Sequence, residues 1–273
     1  MVIGAMKCGT SALTRELSIH PDICFSSVKE PNLFLNENWR DLESEYIELF
    51  SDTDTKLLGE GSTSYTKLPH ESPTYLVKNL YEYNPYLKFI YLMRDPIERI
   101  ISHYKFDLLK GGTQLSFKES INSNPHLYKV GCYSYQLEPY INLFGRDNIL
   151  LLTSEEFRKN RQETLNQISK FLNIGSTKFH DNQVITGESS LIPNQYVERI
   201  FLSNLASKFK NVIPVRYRYK IRYRISKFFS TEFKIPEIDN ETRKTLREKY
   251  QREYENVVTL MGRELIEWKN FHT

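Results

Sequence analysis

The feature that most constrains the fold is the run LKFIYLM at residues 87–93, a continuous apolar stretch rich in β-branched and aromatic side chains. Such a run is typical of a central parallel strand that is buried on both faces. Asp95 and Pro96 follow it, and an N-cap residue before a proline at the first helical position predicts a helix, to about residue 110. This strand–helix unit indicates an α/β fold.

Further strands and helices alternate along the chain. Strands are predicted at residues 1–5, 23–26, 57–59 and 148–153, and helices at 11–19, 73–83, 133–144, 157–172, 197–209 and 240–263. This alternation predicts a P-loop-like, three-layer α/β fold, with a central parallel sheet flanked by helices and a helical C-terminal part. Because 273 residues contain no internal repeat and no clear linker, we expect a single domain over residues 1–273.

The composition excludes several classes of protein. Apolar content of 40% and charged content of 26% are ordinary for a soluble globular chain, and no run has the length of a membrane span. Three cysteines without a C-x-x-C pair argue against a disulfide framework and a zinc site. Because the sequence shows no secretory signal, we expect a cytoplasmic protein, or a Golgi-lumen protein if the sequence is part of a membrane-anchored eukaryotic chain. We expect no bound metal.

The first strand leads into the loop GAMKCGTS, which nearly matches the phosphate-binding pattern G-x-x-x-x-G-K-[ST]. Gly4, Gly9 and Ser11 fit, but Thr10 stands where the lysine belongs, and the lysine is Lys7. A glycine loop between a strand and a helix favours anions, because backbone N–H groups are unpaired there and the helix dipole is positive. Without its context, such a turn could equally be structural.

Arg94 ends the central strand, where a magnesium-dependent hydrolase would place an acidic residue. A surface ion pair is the alternative role for Arg94, but a charged residue straight after a buried strand lies where α/β sheets bind ligands. Together with the displaced Lys7, it predicts a phosphate site that uses cations rather than a metal. A P-loop kinase or hydrolase is the alternative enzyme.

These motifs resemble those of sulfotransferases that use 3′-phosphoadenosine 5′-phosphosulfate, most closely the heparan-sulfate N- and O-sulfotransferases and bacterial carbohydrate sulfotransferases. IGAMKCGTSAL is similar to their 5′-phosphosulfate loop, YLMRDPIERIISHY to their 3′-phosphate motif, and HPDICFSSVKEPNLF to the segment with their catalytic glutamate. GCYSYQLEPYINLFGRDNILLLTSEEF and LREKYQREYENVVTLMGRELIEW resemble later elements. The resemblance is weak only near residues 111–128 and 180–235.

The resemblance implies transfer of a sulfuryl group to a hydroxyl, expected on a glycan or glycolipid, by in-line displacement. It implies Glu30 as the general base and Lys7 as the cation for the charge on the departing phosphate oxygen. The implied nucleotide-binding residues are Lys7, Cys8, Gly9, Thr10 and Ser11 at the 5′ end, with Cys8 a bystander thiol, and Arg94 and Ser102 at the 3′-phosphate. A non-catalytic, glycan-binding relative is the alternative outside enzymes.

Five further side chains near these motifs are expected to have structural or solvent-exposed positions rather than catalytic ones. Lys29 and Pro31 are expected to hold the shape of the Glu30 loop. His20 competes with Glu30 as the base, but its place before a helix-ending proline favours a structural role. Arg99 and His103 are expected to be solvated.

The chain departs from the family pattern at two places. Many heparan sulfotransferases have a lysine directly after the glutamate of the segment written here GEGSTSYTKLP, whereas this chain has Gly61 after Glu60, and Lys67 is not an obvious substitute. The loop that closes over the nucleotide falls near residues 182–201, where the sequence does not choose among Gly187, Ser189, Ser190 and Arg199.

The stretch RYRYKIRYRISK, from Arg216 to Lys227, places basic residues at alternate positions. It is either a solvated face or a surface that attracts an anionic glycan or, weakly, an anionic membrane. Nucleic acid is not expected, because the net charge is only +3 and no nucleic-acid module is visible. The oligomeric state is not predicted.

Overall fold

The computed structural model describes residues 1–69, 71–109, 112–176 and 238–272, and the backbone of residues 191–192 and 231–232. Three sequence-based predictions lie outside these residues. They are the helix at 197–209, the nucleotide-closing candidates Gly187, Ser189, Ser190 and Arg199, and the basic stretch at 216–227.

Parallel strands form the centre of the fold, as predicted. One sheet has the order β1 (Val2–Gly4), β4 (Phe89–Met93) and β5 (Ile149–Thr153), and β2 (Ile23–Phe25) pairs with β3 (Leu57–Gly59). A parallel bridge between Val2 and Gly61 joins the two sets. The strands therefore follow one another in the order β2, β3, β1, β4, β5. Later in the chain, β6 (Leu191–Ile192) and β7 (Thr231–Glu232) form a separate two-residue antiparallel pair.

Helices flank this sheet. Within the described residues they are, in chain order, α1 (Thr10–Ser18), α2 (Glu43–Ile47), α3 (Leu76–Tyr83), α4 (Pro96–Leu109), α5 (Phe117–Ser123), α6 (Pro125–Lys129), α7 (Tyr133–Phe144), α8 (Ser154–Lys159), α9 (Arg161–Leu172) and α10 (Asn240–Met261). Short 3₁₀ turns include Leu33–Leu35, Thr63–Thr66 and Lys269–Phe271. Among the described helices, none is both long enough and apolar enough to cross a lipid bilayer.

One predicted helix, at residues 157–172, proves to be two. The Thr153 side chain caps α8 by accepting a hydrogen bond from the Glu156 backbone N–H at 3.3 Å, so that helix begins directly after β5. Asn160 then leaves the helical conformation, with φ −129° and ψ 58°, and α9 starts behind it. Three short helices, α2, α5 and α6, were not predicted.

Tyrosines anchor α7 to the loops at the carboxyl ends of the strands. The Tyr133 hydroxyl donates to the carbonyl of Arg94 at 2.6 Å, just beyond β4. The Tyr140 hydroxyl donates to the carbonyl of Tyr65 at 2.7 Å, in the turn beyond β3. Both tyrosines are fully buried, so these bonds lie in a protected interior and fix two loops relative to one helix.

Candidate active site

The loop between β1 and α1 is compact and ends in a left-handed residue. The Ala5 N–H donates to Leu92 of β4 at 2.7 Å, and the Cys8 N–H donates back to Ala5 at 3.2 Å. Gly9 has φ 94°, a conformation that glycine adopts without a Cβ penalty, and it leads directly into α1. The first turn of α1 leaves the N–H groups of Thr10 and Ser11 without intrahelical partners, as an anion site requires.

Lys7 projects from this loop towards α4. Its backbone is also left-handed, with φ 71°. Its ammonium lies 4.1 Å from the ring centroid of Phe106, a cation–π contact. This places a positive charge between the loop and the helix that follows Arg94.

Cys8 lies on the opposite side of the loop from solvent. Its side chain is fully buried, with Sγ 3.8 Å from the Tyr133 hydroxyl. Burial raises the pKa of the Cys8 thiol to about 11, so it is protonated at neutral pH and is a poor nucleophile. This is the behaviour expected of a bystander.

Arg94 lies directly after β4, with its side chain 13% exposed. Its guanidinium is 3.8 Å from the Glu98 carboxylate, which is itself held by Arg243 at 2.8 Å. The buried Nε of Arg94 has no hydrogen-bond partner among the described residues. A largely buried guanidinium with an unused donor at the carboxyl end of a strand suits a phosphate ligand.

The helix that carries Ser102 begins as predicted. The Asp95 carboxylate accepts hydrogen bonds from the backbone N–H groups of Ile97 at 2.9 Å and Glu98 at 3.4 Å, and so caps α4. Ser102 lies half-buried on this helix. Within the described ranges, no group of His, Cys, Asp and Glu side chains could hold a metal ion.

Glu30 lies in the loop after β2 and has a left-handed backbone, with φ 57°. Its N–H donates to the carbonyl of Gly61 at 3.1 Å, and its carboxylate accepts from the Thr63 hydroxyl at 3.2 Å. Its side chain is 28% exposed. Two bonds to the segment after β3 therefore hold a solvent-accessible carboxylate in a fixed position.

Lys29 joins the loop that carries Glu30 to the loop between β1 and α1 with the first turn of α1 (residues 5–11), which we call the donor loop. Its ammonium donates to the Ser11 hydroxyl at 2.7 Å and lies 3.9 Å from the Glu30 carboxylate. The structure therefore brings Glu30 and Ser11 to one place, while Arg94 and Ser102 belong to the neighbouring β4–α4 unit. The sequence did not point to this contact, because it depends on how two separate loops pack.

At position 61 a side chain would press against α1. A Cβ added to Gly61 would lie 2.7 Å from Cγ2 of Thr14 on α1, closer than carbon atoms approach. Lys67, the lysine of this segment, is buried, and its ammonium pairs with Glu71 at 2.6 Å. Neither position supplies a cation to Glu30, as expected for Lys67.

Glu60, just before Gly61, is a buried carboxyl that sequence reasoning did not single out. Only 1% of it is exposed, the Ser62 hydroxyl donates to Oε2 at 3.3 Å, and Oε1 has no partner among the described residues. Burial raises the pKa of Glu60 to about 7. The raised pKa of Glu60 depends on what packs around its carboxyl group, which no local motif shows.

Arg99 and His103 are not solvated, contrary to the prediction. Arg99 is completely buried, donates to the carbonyl of Leu127 in α6, and lies 3.3 Å from Nδ1 of His103. Burial, reinforced by the Arg99 charge, lowers the pKa of His103 to about 3, so its ring is neutral at physiological pH. The error arose because α6 covers this side of α4 and was not predicted.

His20 is held by backbone groups, as its structural role requires. Its Nε2 contacts the carbonyl of Gly175 at 2.8 Å, and its Nδ1 accepts from the Asp22 N–H at 3.0 Å. Both ring nitrogens are therefore engaged, and the side chain is buried. The Glu30 carboxylate, in contrast, is accessible to solvent.

The chain matches the sulfotransferase domain family over residues 1–256, and it belongs to that family. Human carbohydrate sulfotransferase 15 is 24% identical over 242 residues, covering 64% of this chain and 43% of the relative. Mouse heparan sulfate glucosamine 3-O-sulfotransferase 3A1 is 26% identical over 184 residues, covering 64% of this chain and 45% of the relative. The chain thus spans less than half the length of these relatives.

A solved structure supports the fold. The sulfotransferase from Alicyclobacillus acidocaldarius superposes with a TM-score of 0.69 and covers 98% of this chain and 97% of its own, at 22% sequence identity. At that identity the likeness establishes the architecture of the chain and leaves its acceptor open.

Proposed function

We propose that this chain transfers a sulfuryl group from 3′-phosphoadenosine 5′-phosphosulfate (PAPS) to a hydroxyl group of a glycan or glycolipid. The observation that carries the proposal is the fixed Glu30 carboxylate, held by Thr63 beside the Ser11 end of the donor loop. Family membership supports sulfuryl transfer, and the relatives named for carbohydrate and heparan sulfate substrates support a carbohydrate acceptor.

Two sets of residues would hold the nucleotide. The 5′-phosphosulfate would lie against the donor-loop residues Lys7, Cys8, Gly9, Thr10 and Ser11, where Cys8 contributes backbone only because its thiol is buried. The 3′-phosphate would be bound by Arg94 and Ser102. The unpartnered Nε of Arg94 fits this role, since a phosphate would satisfy a buried donor. The bound nucleotide supplies an activated sulfuryl group.

The residues divide the chemistry of transfer between them. Glu30 takes the proton of the acceptor hydroxyl while the acceptor oxygen bonds to sulfur. The bond from sulfur to the phosphate oxygen breaks, and its electron pair stays on the phosphate. Lys7 stabilises the charge that develops there, which a preorganised cation does without reorganisation. No metal ion takes part in this scheme.

We infer one domain over residues 1–273, because the sequence has no internal repeat and no clear linker. Three cysteines without a C-x-x-C pair favour a reducing compartment, and we infer a cytoplasmic location. A Golgi-lumen location is the alternative if the chain is part of a longer eukaryotic protein. Weak contact with an anionic membrane through residues 216–227 is likewise inferred from charge pattern alone.

Ligand binding and transfer test the proposal together. Thermal unfolding is measured with adenosine 3′,5′-bisphosphate (PAP), the product of transfer, and with ATP plus Mg²⁺. Transfer of ³⁵S-sulfate from PAPS is then screened against a panel of glycans and glycolipids. The expected result is stabilisation by PAP and label on one acceptor class. Stabilisation by ATP with Mg²⁺ alone would favour the kinase or hydrolase alternative, and PAP binding without transfer would favour a non-catalytic, glycan-binding protein.

A further inference from the structure

We propose that Lys29 is a further catalytic residue, which contacts the sulfuryl group during its transfer between the nucleotide and the acceptor. This inference rests on the proposed function. Its basis is the position of one ammonium group between the donor loop and the base. The Lys29 Nζ atom lies 2.7 Å from the Ser11 hydroxyl and 3.9 Å from the Glu30 carboxylate.

The geometry places this ammonium where the transferred group must pass. Ser11 closes the donor loop, at the end where the phosphosulfate would bind, and Glu30 marks the side from which the acceptor hydroxyl attacks. In an in-line displacement the sulfur moves from the nucleotide beside Ser11 towards the acceptor hydroxyl beside Glu30. A side chain that reaches both therefore lies beside the path of the sulfuryl oxygens. Its side chain is 63% exposed, so it can shift from Ser11 onto a bound ligand.

Two other lysines discussed above lie elsewhere, since Lys7 would face the departing phosphate and Lys67 is held in an ion pair. Lys7 lies against Phe106 on the α4 side of the loop. Lys67 is buried and pairs with Glu71 at 2.6 Å. Position 61, next to the Glu30 backbone, is a glycine and carries no charge. Among the described residues, Lys29 is thus the lysine that contacts both the donor loop and the base.

The charges of the site explain why a cation is needed there. Glu30 is an acceptor-side carboxylate that must approach a phosphosulfate of the same sign, and like charges at close range oppose each other. Lys29 between them offsets this repulsion and also interacts with the sulfuryl oxygens. It exchanges no proton, since the acceptor proton goes to Glu30 and the electron pair of the broken bond stays on the phosphate.

Replacement of Lys29 by methionine and by arginine tests this role. Lys29→Met keeps most of the length of the side chain and removes its charge, and Lys29→Arg keeps the charge. Lys78→Met is the matched control, because Lys78 is an exposed lysine paired with Glu82 at 3.6 Å on α3. Three quantities are measured for each variant: the thermal midpoint, PAP affinity by calorimetry, and the rate of ³⁵S-sulfate transfer from PAPS to the best acceptor of the panel.

The expected result is a transfer rate about 100-fold lower in Lys29→Met, the size seen when one preorganised donor is removed. PAP affinity and the thermal midpoint should stay near wild type, because PAP lacks the sulfuryl group. Lys29→Arg should transfer at a rate between those of Lys29→Met and the wild type, and Lys78→Met should transfer at the wild-type rate. Transfer by Lys29→Met within about threefold of wild type overturns the role, as does an equal loss of rate and PAP affinity.

The wild-type protein separates this inference from the proposed function. If the wild type neither binds PAP nor transfers label from PAPS, the proposed function is wrong, and the role of Lys29 falls with it. If the wild type does both and Lys29→Met does so equally well, only the role of Lys29 is wrong.

Discussion

At the scale of single residues, hydrogen bonds fix the position of Glu30. Its carboxylate accepts from Thr63, and a glutamine in its place can accept the same bond through its amide oxygen. Glu30→Gln should therefore keep PAP affinity, measured by calorimetry, and lose about 10²- to 10⁴-fold in transfer rate, because an amide takes no proton. Glu37→Gln, at an exposed glutamate a few residues on, is the control. Near-normal transfer by Glu30→Gln would identify another group as the base.

Arg94 allows a test that assigns it to one phosphate. If its guanidinium binds the 3′-phosphate, Arg94→Ala should weaken PAP by about 10- to 100-fold, the size of one or two hydrogen bonds to a charged group. Affinity for 5′-AMP, which lacks that phosphate, should hardly change. Calorimetry with both nucleotides measures the difference, with Arg252→Ala, at an exposed position of α10, as the control. Equal weakening of the two ligands would remove Arg94 from the 3′ site.

Some of these residues were predictable and others were not, for a physical reason. Arg94 could be found because a charge that follows an apolar strand shows in the sequence, and Gly9 because its loop has a fixed spacing. Lys29 and Tyr133 act through contacts with residues 18 and 39 positions away. Those contacts depend on tertiary packing, which no local pattern shows.

At the scale of elements, α1 packs so closely on the segment after β3 that a side chain at position 61 would push against Thr14. Gly61→Ala should destabilise the protein by about 1–3 kcal/mol, because its Cβ would lie 2.7 Å from Cγ2 of Thr14. Thr14→Ser removes that methyl group, so the double variant should recover most of the loss. Urea unfolding of the wild type, both single variants and the double variant measures the coupling. Additive effects would show that Thr14 is not the obstacle.

Element prediction worked where one local signal dominates. Continuous apolar runs gave β4 and β5, and the proline and aspartate gave the start of α4. The start of α5 was missed although Ser116 and Glu119 form a capping box, a signal visible in the sequence. The break at Asn160 was missed because a polar residue between two helical patterns also fits one continuous helix.

At the scale of the whole molecule, the parallel sheet gathers the site. The donor loop follows β1, Glu30 follows β2, Thr63 follows β3 and Arg94 follows β4. Because the carboxyl ends of parallel strands meet at one edge, these segments come together although they are far apart in the chain. The bridge between Val2 and Gly61 completes the arrangement by joining the pair β2–β3 to β1. The alternation of strands and helices predicted this edge, and the strand order came only from the structure.

Glu60 lies at that join and should make global stability depend on pH. Its carbonyl accepts the Val2 N–H at 2.8 Å, while its buried carboxyl has a pKa of about 7, against 4.5 for a free glutamate. Between these values the folded chain holds a proton that the unfolded chain releases. The stabilising contribution is therefore complete below about pH 4.5 and is lost as the pH rises through about 7.

Glu60→Gln removes this titration while keeping the shape of the side chain. Relative to the variant, the wild type should lose up to about 3 kcal/mol of unfolding free energy between about pH 5 and pH 8, since one pKa unit is worth about 1.4 kcal/mol. Urea unfolding of both proteins at the two pH values measures this, with Glu48→Gln, at an exposed glutamate, as the control. If the wild type and Glu60→Gln change in parallel with pH, Glu60 is ionised in the folded protein throughout this range.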